Sequence, residues 1–249
     1  MTPESLSPPS GPENGGAERV AERIRALLGG VFDALDELGA EVVRRRRALL
    51  DEGRRLKEAH LGMLEPFIKE ELARRPMADG LGFLAAPDVI GGVERYIHWW
   101  HRTGDAVARM RLNFDPTSVD LYDYLQMDWF VAARDRGEHA VFGPYVDYTG
   151  ANRYVLTLTV PVSDEIFLGV AGADLAMSDV EPALLRALRS AGRDALLVSA
   201  ERRVVAANTP RWVVGSRLPS MPRPHEGEFV EVCPVGLDSG WVVALAENE

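Results

Sequence analysis

Val20, Ile24, Leu27, Leu28, Val31, Leu35, Leu38, Val42, Leu49 and Leu50 follow one another by threes and fours, the spacing of one buried stripe on an α-helix. An amphipathic helical arm is therefore predicted over residues 17–76. Gly29, Gly30 and Gly39 weaken a helix, and Pro66 favours a break or a fresh first turn, so two or three helices are expected in the arm.

Beyond residue 76 the texture turns to strands. "GLGFLAA", "RYIHWWHR" and "VARMRLNF" are short runs bounded by Gly, Pro or Asp. "SVDLYDYLQMDWFVAARDRG" carries a short helix, with Asp115 or Ser118 as candidate caps. Three further strands, "AVFGPYVD", "RYVLTLTVPV" and "FLGVAGADL", are joined by "YTGAN" and "VSDE", turns short enough for an antiparallel meander. A helix over "SDVEPALLRALRSAG" follows, capped by Ser178 with Glu181 three residues on and ended by Gly192. "DALLVSAERRVVAAN" reads as a hairpin, and "EFVEVCPV" and "GWVVALAE" come after a Pro-rich loop. These last strands, 192–249, form either the edge of the same sheet or a small second module. The predicted class is α+β: a helical arm against an antiparallel sheet over 77–191.

A chain of 249 residues that is 46% hydrophobic and 27% charged can bury one large core or two small ones. Its net charge of −10 argues against direct binding of nucleic acid, which needs clustered positive charge. "RRRR" at 44–47 does not change this, because four successive helical residues point in four directions and Glu41, Asp51 and Glu52 flank them; a solvated helix face is expected. One cysteine, Cys233, allows no internal disulfide. Residues 1–16 lack the basic start and apolar core of a signal peptide and read as a disordered tail. No run approaches the roughly 18 to 20 apolar residues of a membrane span. A soluble, cytoplasmic protein without membrane contact is expected.

The candidate chemistry lies on the strands. Tyr145 and Asp147 are two apart and share one face; Thr157 and Thr159 share another, as do Val170, Gly172 and Asp174. Gly169 and Gly172 leave room for a ligand or a second backbone. If the register aligns these faces, two carboxylates line one cavity. Trp99, Tyr122, Tyr124 and Trp129, with Asp128 beside the last, are candidates for its wall, and aromatic faces beside carboxylates suit an ammonium ion. No nucleophile elbow, zinc-protease helix or phosphate-binding loop is present. His98 and His101 point to opposite sides of a strand. No metal, cofactor or catalytic residue is expected; an acid-dependent hydrolase using Asp147 and Asp174 stands as the least favoured alternative.

The order "YDYLQMDWF", "GPYVDYTG", "YVLTLTVPV", "FLGVAGADL" and helix resembles the Cache sensor domains, ligand-binding relatives of the PAS fold in bacterial chemoreceptors and kinases. The likeness spans about residues 80–190. The arm resembles the family's long first helix, and "SGWVVALAE" resembles the last strand of a membrane-proximal module. In amine- and amino-acid-binding members a Tyr, an Arg-x-Trp, a Tyr-x-Asp and a final Asp hold the ligand. The resemblance places Trp129, Tyr145, Asp147 and Asp174 in these roles. Met127 stands where amino-acid binders carry the arginine that grips the ligand carboxylate. A small cationic metabolite is therefore implied, an amine or an amino acid, the latter if Arg95, Arg102, Arg109 or Arg111 supplies the missing fork. The resemblance also implies a sensor, here a soluble intracellular version, that signals to a partner such as a transcriptional regulator, with the arm as a homodimer contact. The alternative is a ligand-free interaction protein whose pocket has decayed.

Overall fold

The computed structural model describes residues 15–147 and 153–247. Residues 1–14 of the expected tail and the "YTGAN" turn at 148–152 lie outside them.

The arm begins with α1, one helix of 36 residues over Gly16–Asp51. Gly29, Gly30 and Gly39, expected to weaken it, do not interrupt it. Each internal glycine costs about 1 kcal/mol relative to alanine, and the full burial of Val20, Ile24, Leu28, Leu35, Leu38 and Val42 outweighs that. α2, Leu64–Arg74, carries Pro66 in its first turn, where the missing N–H would have had no helical partner.

Six strands follow in one antiparallel sheet: β1 (Ala78–Ala85), β2 (Ile97–Thr103), β3 (Ala106–Arg109), β4 (Ala140–Val146), β5 (Tyr154–Ser163) and β6 (Phe167–Ala176), in spatial order β3-β2-β1-β6-β5-β4. β3 is shorter than the run "VARMRLNF", although Met110 N–H still donates to the Trp99 carbonyl at 2.8 Å. Between β3 and β4 lies α3, Asp128–Arg136. Asp115 caps a local turn by accepting from the Thr117 N–H at 2.9 Å, and α3 starts ten residues beyond Ser118. α4, Met177–Arg189, springs directly from β6, so Ala176 and not Ser178 holds its cap position.

The last strands are a separate module. β7 (Ala195–Val198), β8 (Val204–Ala207), β9 (Phe229–Pro234) and β10 (Val242–Ala246) form a four-stranded sheet in the order β8-β7-β10-β9. α1 ties the two sheets together. Near its start Ala17 N–H donates to Glu231 and Arg25 Nε to the Val235 carbonyl, at 2.9 and 2.7 Å. Near its end Arg46 and Arg47 both pair with Asp164 in the β5–β6 turn, at 3.0 and 2.5 Å. Two of the four consecutive arginines thus anchor the helix, and Arg44 pairs with Glu41 on its surface.

The six-stranded sheet has two different faces. Leu81, Phe83, Leu156, Leu158, Ala173 and Leu175 pack into the main core with α1 and α2. The other face presents Leu84, Ile97, Trp99 and Val170 to Tyr122, Tyr124, Trp129 and Phe130 around α3. Among the described residues no helix is long and apolar enough to cross a membrane.

Candidate functional site

The second face of the sheet carries the site. In the β5–β6 register Thr157 lies opposite Asp174 and Thr159 opposite Gly172. In the β1–β2 register Leu84 lies opposite Ile97 and Gly82 opposite Trp99. A register shift in β4 between Phe142 and Tyr145 brings Tyr145 to the same cavity. The cavity is narrow, about 20 Å³.

One end is polar, formed by Tyr122, Tyr145, Asp147, Thr157 and Asp174. Thr157 Oγ1 donates to Asp174 Oδ1 at 2.7 Å. With that proton committed, the Tyr145 hydroxyl, 2.7 Å from Thr157 Oγ1, is the donor in the next link. Asp147 is 6% exposed, and its N–H donates to the Arg153 carbonyl at 2.9 Å, which fixes the strand end. The Arg153 guanidinium pairs at 2.5 Å with Asp79 on β1, itself 3% exposed.

The electrostatics follow from burial. Asp174 is pushed up to about 7, chiefly by desolvation, with the Asp147 and Asp79 charges adding and the Thr157 hydrogen bond opposing. Asp79 is raised by desolvation despite Arg153. Tyr122 and Tyr145 are raised by desolvation and then by the two aspartates, so both remain hydroxyl donors at neutral pH.

The other end is apolar, built by Leu84, Ile97, Met110, Leu112 and the Trp99 indole, with Thr159 and Gly172 on its floor. Small residues let the indole lie close to the sheet: a Cβ on Gly172 would sit 3.3 Å from Trp99 Cζ3, and one on Gly80 2.5 Å from Trp99 Nε1. Trp129, Tyr145 and Asp147 also line a wider cleft that reaches the 199–203 and 238–241 loops of the second sheet. They stand between that cleft and the inner cavity.

Seven of the nine predicted residues meet here: Trp99, Tyr122, Trp129, Tyr145, Asp147, Thr157 and Asp174. Tyr124 and Asp128 do not. The Tyr124 hydroxyl is spent on the backbone, donating to the Ala85 carbonyl at 2.6 Å and accepting from the Tyr96 N–H at 3.0 Å. Asp128 opens α3 as an exposed residue and faces the outer cleft. Leu84, Ile97, Met110 and Leu112 were not anticipated; the alternation that places Trp99 on this face also places Ile97, two residues earlier.

No candidate arginine reaches the cavity. Arg95 pairs with Asp123 and Glu94. Arg102 donates to the Ala78 and Leu72 carbonyls, and Arg109 to Glu58 and Tyr96 at 2.8 and 2.9 Å. Arg111 is exposed. Among the described residues no lysine or arginine lines the cavity, and no group of three or more His, Cys, Asp or Glu is placed to hold a metal. His98 lies buried on the opposite face of the sheet, lowered to about 4 by desolvation.

Residues 64–181 match the family model described as methyl-accepting chemotaxis protein-like, first PDC sensor domain. Among solved structures, the ligand-binding domain of the Pseudomonas aeruginosa amino acid chemoreceptor PctB in complex with L-Arg is 18% identical, with a TM-score of 0.60 over 94% of this chain and 92% of that one. The corresponding domain of PctC from the same organism, in complex with GABA, is 22% identical, with a TM-score of 0.58 over 92% and 95%. The domain of the Pseudomonas fluorescens chemoreceptor CtaA in complex with L-valine is 19% identical, with a TM-score of 0.57 over 94% of each. No curated protein matches by sequence. At such identities the likeness to solved structures is one of fold. The chain carries the Cache/PDC-like sensor fold of bacterial chemoreceptors: a long helix, a six-stranded sheet and a second four-stranded sheet.

Proposed function

We propose that the chain is a ligand-binding sensor domain whose cavity takes a small organic amine. The observation that carries this reading is that Asp147 and Asp174 line one cavity that, among the described residues, no lysine or arginine lines. A bound ammonium supplies the counter-charge that makes ionising Asp174 favourable at neutral pH. Trp99 and Trp129 add aromatic surface beside it, a setting in which a desolvated cation gains about 2 kcal/mol per favourable face.

The ligands named for the similar structures, L-Arg, GABA and L-valine, all carry a carboxylate. Among the described residues a carboxylate in this cavity meets two aspartates and no guanidinium, which favours the amine over the amino acid. The intact Thr157 to Asp174 hydrogen bond weighs against a decayed pocket. Signal output is assigned to a partner protein or a second copy of the chain, with α1, which touches both sheets, as the element that couples the cavity to the second module.

A thermal-shift screen of primary amines tests the reading. An amine at 100 times its dissociation constant adds about 2.7 kcal/mol of stability and raises the melting temperature. No shift with any amine would remove the proposal.

A further inference from the structure

The Thr159 side chain raises a separate question. It is fully buried on the floor of the cavity's apolar end, and its hydroxyl has no hydrogen-bond partner among the described residues. A buried hydroxyl without a partner costs free energy, and the neighbours at that end, Leu84, Ile97, Met110 and Leu112, offer it nothing polar. Opposite it stands Gly172, over which the Trp99 ring lies, 3.3 Å from where a Cβ would be. Thr157 and Thr159 lie two residues apart on β5, so their side chains are separated by about 6.5 to 7 Å along the strand.

From this arrangement the geometry points to a ligand with three parts in line: an ammonium at the aspartates, an apolar body beside Trp99, and a neutral hydrogen-bonding group about 6.5 to 7 Å further on that meets the Thr159 hydroxyl. This rests on the proposed amine function and narrows its ligand class. A second ammonium is disfavoured, because among the described residues the apolar end contains no carboxylate and an uncompensated charge there would be desolvated. The class is therefore a monoamine with a neutral polar tail, not a diamine and not a plain alkylamine.

Three probes of one chain length separate these: pentylamine, its ω-hydroxy analogue and cadaverine, titrated calorimetrically into the full chain and into Thr159→Val and Thr159→Ser. The hydroxyamine binds wild type more tightly than pentylamine by about five-fold, the worth of one net hydrogen bond, and cadaverine binds most weakly. Thr159→Val, close in shape but without the hydroxyl, abolishes the preference while keeping pentylamine affinity; Thr159→Ser retains the preference. If cadaverine binds best, or if Thr159→Val leaves the hydroxyamine-to-pentylamine ratio unchanged, the inference is wrong while the amine function stands. Failure of all three probes and of every other primary amine would overturn both.

Discussion

Thr157 on β5 donates its hydroxyl proton to Asp174 on β6 across 2.7 Å, at the position where the two strands pair. It is the contact that opposes the desolvation of Asp174 and draws its carboxyl down toward ionisation. Thr157→Val removes it, so the carboxyl rises above its present value near 7. Amine affinity then falls at neutral pH and recovers as the solution is made more alkaline. Calorimetry of one amine at several pH values between about 6 and 8.5 reads this as an upward displacement of the binding profile.

In the wild type the same linkage makes amine binding pH-dependent. Binding that requires an ionised Asp174 strengthens about tenfold between pH 6 and 8 when the carboxyl titrates near 7, and the amine's arrival releases a proton. Titration in two buffers of different ionisation enthalpy measures that release directly. A flat affinity across the interval would mean that Asp174 does not change protonation on binding.

Stability without ligand has the opposite sign. Asp174 titrates near 7 in the folded chain and near the ordinary value of about 3.9 when unfolded. Across that window the native state binds more protons than the unfolded chain, so the contribution of this group to stability falls as pH rises. Asp174→Asn, neutral throughout, is therefore more stable than wild type at pH 8, and by a smaller margin at pH 5. Denaturant melts at the two pH values check the difference while amine binding is lost.

The helical arm allows a paired test. Gly29 faces open space, and alanine there stabilises α1 by about 0.5 to 1 kcal/mol through its better helix propensity. A Cβ on Gly39 would sit 3.0 Å from Val162 Cγ2 on β5. Gly39→Ala therefore costs about 1 to 3 kcal/mol of overpacking. The opposite signs in urea melts would show that the two glycines serve different purposes.

These contrasts also mark what the sequence made legible. The stripe from Val20 to Val42 and the strict alternation through Thr157, Thr159, Gly172 and Asp174 record local periodicities, and both the arm and the convergence of the acids follow from them. The continuity of α1 was hidden, because glycine propensity is local while the burial that overrides it comes from both sheets. Tyr124 looked like a wall residue until the β1–β2 loop claimed its hydroxyl. Asp128 shares the sequence neighbourhood of Trp129, but the first turn of α3 turns the two apart. The apolar end was hidden for a further reason: Leu84 and Ile97 reach it through a long-range register, and Met110 and Leu112, which alternate with exposed Arg111 and Asn113 beyond the end of β3, through a chain path that their alternation does not place. Whether strands 192–249 joined the first sheet was likewise a question of pairing, which periodicity does not encode.

Paired calorimetry with isobutylamine and L-valine, which differ only by the carboxylate, tests the central claim most directly. With wild-type protein at pH 8 the amine binds at least tenfold more tightly, a difference of about 1.4 kcal/mol, because Asp147 and Asp174 repel the carboxylate and no guanidinium among the described residues lines the cavity to receive it. Asp174→Asn then loses the amine by about 100-fold or more, the cost of leaving a buried cation half compensated. L-valine binding more tightly than isobutylamine would contradict the account.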